Sequence, residues 1–441
     1  MKSVSISAPV TASRGMSPIA IIGMLFFIFG FVTWMNSVLV PYLQIACELS
    51  TSMAFLVTSA FYIAYVVMAA PSTWILKVFG FKNGMAVGLL IMAVGGLIFI
   101  PAALSRTYLL FLIGLFVQAT GMTVLQAASN PYITILGPTE SAAKRMSIMG
   151  ICNKVAGVLA PIVLGAVVLE KADDLKAALE HMTPLQKVAE LDAMAAKVIL
   201  PYTVIIIVLV ILSVVIYFSS LPEIKLEATK STGADAVEIE KTSVFQYPHL
   251  VLGVLALFFY VGVEVIVGDS IIKYGNTLNI KLETAKYFTA CALGAMVVGY
   301  VIGVVCIPKY FSQQKALVVS AILGLLFTTG ALVTSGYVSV AFIALLGLAN
   351  SLMWPSIWPL ALADLGKFTK TASSLLIMGI SGGAVFPWLY GQLVDYLQHH
   401  TGQDIGHASR YAYAIMLPLY LFIFYFATSG YKAGKKILKV A

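Results

Sequence analysis

Apolar runs of about twenty residues recur along the whole chain, each separated from the next by a short polar stretch. Runs of this length match the thickness of a bilayer's hydrocarbon core and predict transmembrane helices. Only helices can form them, because a lipid-exposed backbone must satisfy its own hydrogen bonds. The pattern therefore predicts an all-α membrane protein with twelve transmembrane helices. They are expected at residues 18–40, 53–76, 84–104, 107–136, 144–169, 198–219, 247–275, 284–307, 316–335, 337–363, 371–396 and 410–430.

Two polar segments interrupt this pattern and indicate how the chain is divided. Residues 170–197 form a charged, amphipathic loop between spans five and six, and residues 220–246 form a longer polar linker between spans six and seven. We expect a six-helix bundle in residues 1–219, a cytoplasmic linker at 220–246 and a second six-helix bundle in residues 247–441.

Composition and charge support a membrane protein with both termini in the cytoplasm. The 441 residues are 60% hydrophobic and 10% charged. The formal charge of +8 is spread over short loops, which is no signal for nucleic acid. With cytoplasmic termini, seventeen Lys and Arg residues lie in cytoplasmic segments, nine lie on the other side and Lys154 lies inside a span, as the positive-inside rule requires. The polar first seventeen residues lack the pattern of a cleaved signal, so the first span is expected to be retained.

Short motifs recur in the two halves in the same order. IMGI at 148–151 returns at 377–380, Pro161 has a counterpart in Pro387, and KVFGFK at 77–82 has one in KYFSQQK at 309–315, at offsets of 226 to 232 residues. They indicate a duplicated six-helix unit with a pseudo-twofold axis along the membrane normal. This architecture resembles secondary transporters of the major facilitator type. The sequence carries no phosphate-binding loop, nucleophile–base pair or metal-ligand cluster, so we expect neither an enzyme nor a cofactor.

Polar residues inside the spans are the candidates for function, because each is costly in a bilayer. In major facilitator folds spans one, four, seven and ten line the cavity, and here these spans and span five carry amides, aromatic residues and few charges. Amides offer donors and acceptors, and aromatic rings stack on sugar faces, which favours a neutral polyhydroxyl ligand. The predicted sugar-binding residues are Asn36, Gln126, Asn130, Asn153, Lys154, Tyr260, Asn350, Trp354 and Trp358.

Five stretches carry a more specific resemblance. NPYITILGP, KRMSIMGICNKVAGVLAP, FFYVGVEVIVGDS, NSLMWPSIWPLALADLGKFT and IMGISGGAVFP together resemble the fucose/glucose/galactose symporter family of the major facilitator superfamily. The resemblance implies a cation-coupled importer in a bacterial inner membrane that works by alternating access. The expected substrate is a neutral hexose or a relative, such as glucose, galactose, mannose, fucose or N-acetylglucosamine.

The chain departs from this family where coupling should occur. Proton-coupled members have an aspartate after the span-one asparagine and a glutamate in span four, where this chain has Ser37 and Gln126. We therefore expect sodium as the coupling ion, with Glu264 and Ser37 as its predicted ligands. Proton coupling through Glu264 or Lys154, and uncoupled transport, stay open. Glu264 and Asp269 are about 140° apart on a regular helix, so both serve one site only if Gly268 breaks the helix.

Lys154 has two competing interpretations. It is a sugar hydroxyl donor or a built-in cation of the coupling network, or it forms a structural ion pair with an acid. A pair with Glu264 requires tilted helices. The predicted coupling residues are thus Ser37, Lys154, Glu264 and Asp269. Beyond sugar, ion and lipid, no partner is expected, and the protein is expected to be a monomer. A multidrug exporter on the same fold and a transport-dead sensor are the alternatives.

Overall fold

The structure is a computed structural model of the chain. It describes residues 18–135, 142–179, 181–219, 221, 243–307, 310, 312–363, 365 and 368–434. The side chains of residues 73, 130–135, 142–147, 369, 370 and 373 lie outside this description, so the predicted sugar ligand Asn130 is not placed. Most of the predicted linker at 220–246 also lies outside it.

The first half of the described chain comprises nine helices. They are α1 (Pro18–Trp34), α2 (Asn36–Ala46), α3 (Thr51–Val67), α4 (Ala69–Leu104), α5 (Tyr108–Ile135), α6 (Ala142–Val168), α7 (Ala172–Ala178), α8 (Pro184–Ala196) and α9 (Ile199–Phe218). The second half comprises ten. They are α10 (Pro248–Thr277), α11 (Leu282–Ala285), α12 (Phe288–Cys306), α13 (Gln313–Val333), α14 (Gly336–Asn350), α15 (Met353–Leu362), α16 (Thr369–Met378), α17 (Gly382–Thr401), α18 (Ile405–Ala412) and α19 (Met416–Thr428).

These helices confirm the predicted all-α membrane fold. Eleven helical segments of the described chain are long and apolar enough to cross a bilayer, and Thr51–Val67 is a shorter apolar helix at the place of the second span. Together they account for the twelve predicted spans. The division at residues 220–246 stays a prediction, because most of that segment lies outside the described chain.

Several spans consist of two helical pieces. Span one is interrupted at Met35, so Asn36 begins α2. The helix assigned as α4 contains Gly80 at φ 76°, a left-handed conformation that ends span two and begins span three. Span ten is divided into α14 and α15, and span eleven into α16 and α17, with a 3-10 turn at Gly379–Ser381. Interrupted helices leave backbone groups and side chains free at membrane depth, which is where transporters bind their substrates.

Glycines allow the closest helix contacts within each half. A Cβ at Gly30 of α1 would overlap the carbonyl of Asn153 on α6, and a Cβ at Gly382 of α17 would overlap the carbonyl of Phe258 on α10. Such small residues let membrane helices pack backbone to backbone. Contacts between the halves run mainly from α3 to α17, from α6 to α12 and from α2 to α10.

Candidate transport site

A buried ion pair joins the two halves at the centre of the molecule. The Lys154 ammonium on α6 lies 2.5 Å from the Glu264 carboxylate on α10, and the two side chains are only 10% and 11% exposed. Each charge alone would be costly in this environment, and each offsets the cost of burying the other. The sequence left open whether Lys154 binds sugar, serves the coupling network or forms an ion pair with an acid. The structure contains the ion pair, and the acid is Glu264.

Trp34 packs beside this pair in a space that two glycines leave open. A Cβ at Gly157 on α6 or at Gly268 on α10 would overlap the Trp34 indole. The Lys154 ammonium lies 4.7 Å from the centre of the same ring, within the range of a cation–π interaction. The indole at the end of α1 thus contacts both halves and one face of the ion pair.

Gly268 has a different role from the break considered in the sequence. Helix α10 runs without interruption from Pro248 to Thr277, and Gly268 accommodates Trp34 instead. Glu264 and Asp269 consequently point in different directions. Glu264 faces Lys154, whereas Asp269, which is 1% exposed, accepts a 2.7 Å hydrogen bond from the Thr58 hydroxyl on α3. The two acids therefore do not share one site.

A small cavity of about 10 Å³ lies against the ion pair. Its lining includes Trp34, Glu264 and Asn350, and its volume is that of about one water molecule, too small for a sugar ring. The Asn350 side-chain oxygen accepts a 2.8 Å hydrogen bond from the Tyr420 hydroxyl, while its amide nitrogen has no partner among the described residues. The central site is therefore closed around its polar groups in this conformation.

Asn36 and Ser37 are the first two residues of α2, just after Trp34 in the sequence, and both are fully buried. Neither polar atom of the Asn36 amide has a hydrogen-bond partner in the described chain. A buried polar group without a partner is costly, which makes Asn36 a candidate to bind a ligand. Ser37 donates its hydroxyl to the Trp34 carbonyl over 2.8 Å. Among the described contacts this hydroxyl makes none to Glu264, so the two predicted sodium ligands are not brought together.

Two of the predicted sugar amides are engaged within the first half. The Gln126 amide donates to the Tyr65 hydroxyl over 3.0 Å, and the Asn153 amide donates to the carbonyl of Phe26 over 3.3 Å. The Asn153 contact coincides with the close approach of α1 and α6 at Gly30. In this conformation both amides contribute to packing between helices.

An aromatic group extends from the ion pair along α15. The rings of Trp354 and Trp358 stack with 5.4 Å between centroids and 20° between planes, and Trp354 lies 6.3 Å from the Tyr260 ring. Tyr260 is one turn from Glu264 on α10, so the aromatic rings and the carboxylate belong to one region. Both indoles are half-buried, which leaves faces on which a sugar ring can stack.

Comparison with known proteins assigns the family. A family model described as Major Facilitator Superfamily matches residues 22–387. The chain belongs to the major facilitator superfamily. It is 32% identical over 380 residues to a glucose/galactose transporter of Brucella abortus, covering 86% of this chain and 87% of that protein. It is 28% identical over 382 residues to the L-fucose-proton symporter of Escherichia coli, covering 86% of this chain and 87% of the symporter.

A solved structure of the superfamily gives the same picture of the fold. The crystal structure of the transporter FucP in the outward conformation matches with a TM-score of 0.68 and 26% sequence identity, and covers 93% of this chain and 98% of that one. These relatives are named as transporters or symporters, as expected for a protein that is neither an enzyme nor dependent on a cofactor. The bacterial inner membrane and the cytoplasmic termini stay predictions.

Lys273 is a buried charge that the charge count placed on the far side of the membrane, at the end of predicted span seven (247–275). Because α10 extends to Thr277, Lys273 lies inside the helix and is only 7% exposed. Its ammonium has no hydrogen-bond partner among the described residues and lies 5.5 Å from the Phe55 ring. The apolar pair Ile271 and Ile272 before it was the available signal, since it continues the helical pattern of span seven past Asp269.

Proposed function

We propose that this chain is a proton-coupled symporter that imports a neutral monosaccharide by alternating access. The printed names of its relatives, for glucose, galactose and L-fucose, support a monosaccharide substrate. The amides and stacked indoles near the Lys154–Glu264 pair also support a monosaccharide. They offer hydrogen bonds and flat apolar faces without a net charge. The proton is preferred here to the sodium ion that the sequence favoured.

The Lys154–Glu264 ion pair is the observation that carries the choice of ion. A sodium site requires a set of oxygen atoms around the ion, whereas Glu264 already has the Lys154 ammonium at 2.5 Å. Ser37, its proposed co-ligand, donates to a backbone carbonyl instead. The described residues contain no cluster of three or more Asp, Glu, His or Cys side chains that could hold a metal ion. A proton, in contrast, needs only one carboxylate oxygen.

Sugar and proton then bind as a linked pair. A proton that adds to Glu264 cancels the carboxylate charge and releases the Lys154 ammonium. The sugar supplies hydroxyl oxygens that accept hydrogen bonds from this ammonium, so it takes the place that Glu264 has left. Each ligand removes the cost of binding the other, which is thermodynamic coupling between two sites. Among the described residues the Asn36 amide and the Asn350 amide nitrogen have no hydrogen-bond partner, and the sugar hydroxyls would satisfy them.

Reconstituted protein in liposomes tests the coupling ion directly. We expect uphill sugar uptake driven by an inward proton gradient, lost on adding a protonophore and unchanged when sodium is replaced by potassium. Glu264→Gln should abolish uphill uptake and leave sugar exchange between the two sides of the membrane, because an uncharged partner still permits sugar to bind. Asp269→Asn is the matched control, since it neutralises the other buried acid of the same helix without touching the pair.

Two results would overturn this proposal. Uptake that requires sodium and survives the protonophore restores the sodium interpretation. Uphill uptake by Glu264→Gln at the rate of the parent protein assigns coupling to another group.

A further inference from the structure

Two carboxylates each accept hydrogen bonds from the opposite half of the molecule. Both lie at the same end of the membrane-spanning helices, here called the outer side. This is the side of α7 and α8, which the charge pattern predicts to face away from the cytoplasm. Asp173, on α7 of the first half, accepts hydrogen bonds from the Asn276 amide over 3.1 Å and from the backbone N–H of Leu282 over 2.5 Å. Asp395, on α17 of the second half, accepts one from the backbone N–H of Ser52 over 2.9 Å.

The donors of the two contacts are related by the internal repeat. Leu282 lies 230 positions after Ser52, within the 226 to 232 residue offsets of the repeated motifs. Leu282 donates at the start of span eight, and Ser52 donates at the start of span two. Asp173 follows span five and Asp395 lies near the end of span eleven, which are the equivalent spans of the two halves. Each half therefore contributes one carboxylate and one backbone donor.

The α7–α8 segment is anchored to the first half, so Asp173 moves with that half. An ion pair of 2.5 Å joins Lys187 to Glu48, another of 3.4 Å joins Arg106 to Asp192, and the Tyr42 hydroxyl donates to the carbonyl of Ala195 over 2.7 Å. All of these contacts lie within residues of the first half. Separation of the halves on the outer side must consequently break the bonds from Asp173 to Asn276 and Leu282.

We propose that Asp173 and Asp395 are reciprocal clasps, that is, side chains of one half that bond to the other half and hold the outer side closed. This rests on alternating access in the proposed function. The clasps are positioning residues for transport, since they set how often the central site faces outward without contacting the sugar.

Thiol labelling measures this opening without sugar or an ion gradient. Thr58 is fully buried between the halves, where it bonds to Asp269, so a cysteine there is reached only after the outer side opens. The parent carries Thr58→Cys in a full-length chain whose four native cysteines are alanines. We expect Asp173→Ala and Asp395→Ala each to raise the rate of alkylation by a membrane-impermeant maleimide about 10- to 100-fold, as for the loss of a charge-assisted hydrogen bond. The double variant should show the product of the two factors, because both act on one equilibrium.

Asp192→Ala is the matched control, because it removes a carboxylate whose ion pair lies within the first half. If Asp173→Ala is not recovered as folded protein, Asn276→Ala removes one of the two hydrogen bonds that Asp173 accepts and should raise the labelling rate by a smaller factor. The proposal is overturned if the double variant is labelled at the parent rate, or if Asp192→Ala accelerates labelling as much. Labelling needs no substrate, so it reports on the clasps even if sugar or proton transport is disproved.

Discussion

The two copies of the IMGI motif fold and act differently. In the first half the motif lies in α6, which is one continuous helix, and it is followed by Cys-Asn-Lys. In the second half the motif spans the end of α16 and the 3-10 turn, and it is followed by Ser-Gly-Gly at the start of α17. The first copy carries a charge, and the second carries two residues without side chains.

Both copies nevertheless place the third residue after the motif between the halves. In the first copy this residue is Lys154, whose ammonium pairs with Glu264 on α10. In the second copy it is Gly383, where a Cβ would press against the ring of Tyr62 on α3. Both copies thus keep this position at the interface between the halves, but its chemistry differs. Lys154 forms an ion pair across the interface, whereas Gly383 allows close packing.

The close helix contact next to this position is also reversed. The carbonyl of Asn153 faces Gly30 in the first half, whereas Gly382 faces the carbonyl of Phe258 in the second. Asn153 and Gly382 occupy the same place after IMGI. The glycine has thus moved from one member of the helix pair to the other while the contact has stayed. A repeated fold constrains the contact more tightly than it constrains which helix supplies the small residue.

Removing the charge from the first copy should have the largest effect. Lys154→Met leaves Glu264 buried without its partner, which costs about 3–5 kcal/mol for a buried pair broken on one side. We expect a lower melting temperature in detergent and no uphill sugar uptake. Thermal unfolding followed by size-exclusion chromatography and uptake into proteoliposomes measure the two effects.

The double variant Lys154→Met with Glu264→Gln separates stability from function. It leaves no uncompensated charge, so the melting temperature should return toward that of the parent while uphill uptake stays absent. A single variant that keeps uphill uptake would show that the first copy contributes packing alone, like the second.

Adding a methyl group to the second copy should have the next largest effect. Gly382→Ala forces a Cβ into the Phe258 carbonyl, and overpacking of this kind typically costs about 1–3 kcal/mol. Gly150→Ala in the first copy is the matched control, because its Cβ would lie 3.5 Å from Tyr300, an ordinary contact. We expect the melting temperature to fall for Gly382→Ala alone. Equal losses for both variants would remove the distinction between the copies.

The smallest effect is expected at the edge of the central cavity. Tyr420→Phe removes the hydrogen bond to Asn350 and leaves its side-chain oxygen without that donor, a change worth about 1 kcal/mol. The KM for sugar exchange should change by about 3- to 10-fold, since Asn350 lines the cavity. Tyr413→Phe loses a similar 2.7 Å bond, to Ser270, away from the residues that line the cavity. A KM shift of equal size in Tyr413→Phe would assign the effect to general loosening.

Sequence alone predicted the spans well, because hydropathy and length are properties of each segment by itself. It also predicted that Glu264 and Asp269 face different ways unless the helix breaks, which follows from helical periodicity. It did not decide between the interpretations of Lys154. Whether α6 and α10 approach closely enough for the Lys154–Glu264 pair depends on Gly157 and Gly268, which make room for an indole from a third helix. Such an arrangement is a property of three distant segments together.

The separation of Lys154 and Glu264 by only 2.5 Å has a consequence for the energy source of the cycle. Without sugar and proton, the pair carries no net charge at the centre of the membrane. Under the proposed mechanism the arriving proton adds one positive charge to the loaded carrier. A membrane potential acts on moving charge, by about 2.3 kcal/mol per elementary charge for each 100 mV. Voltage therefore drives the inward step with sugar and leaves the return of the empty carrier unaffected.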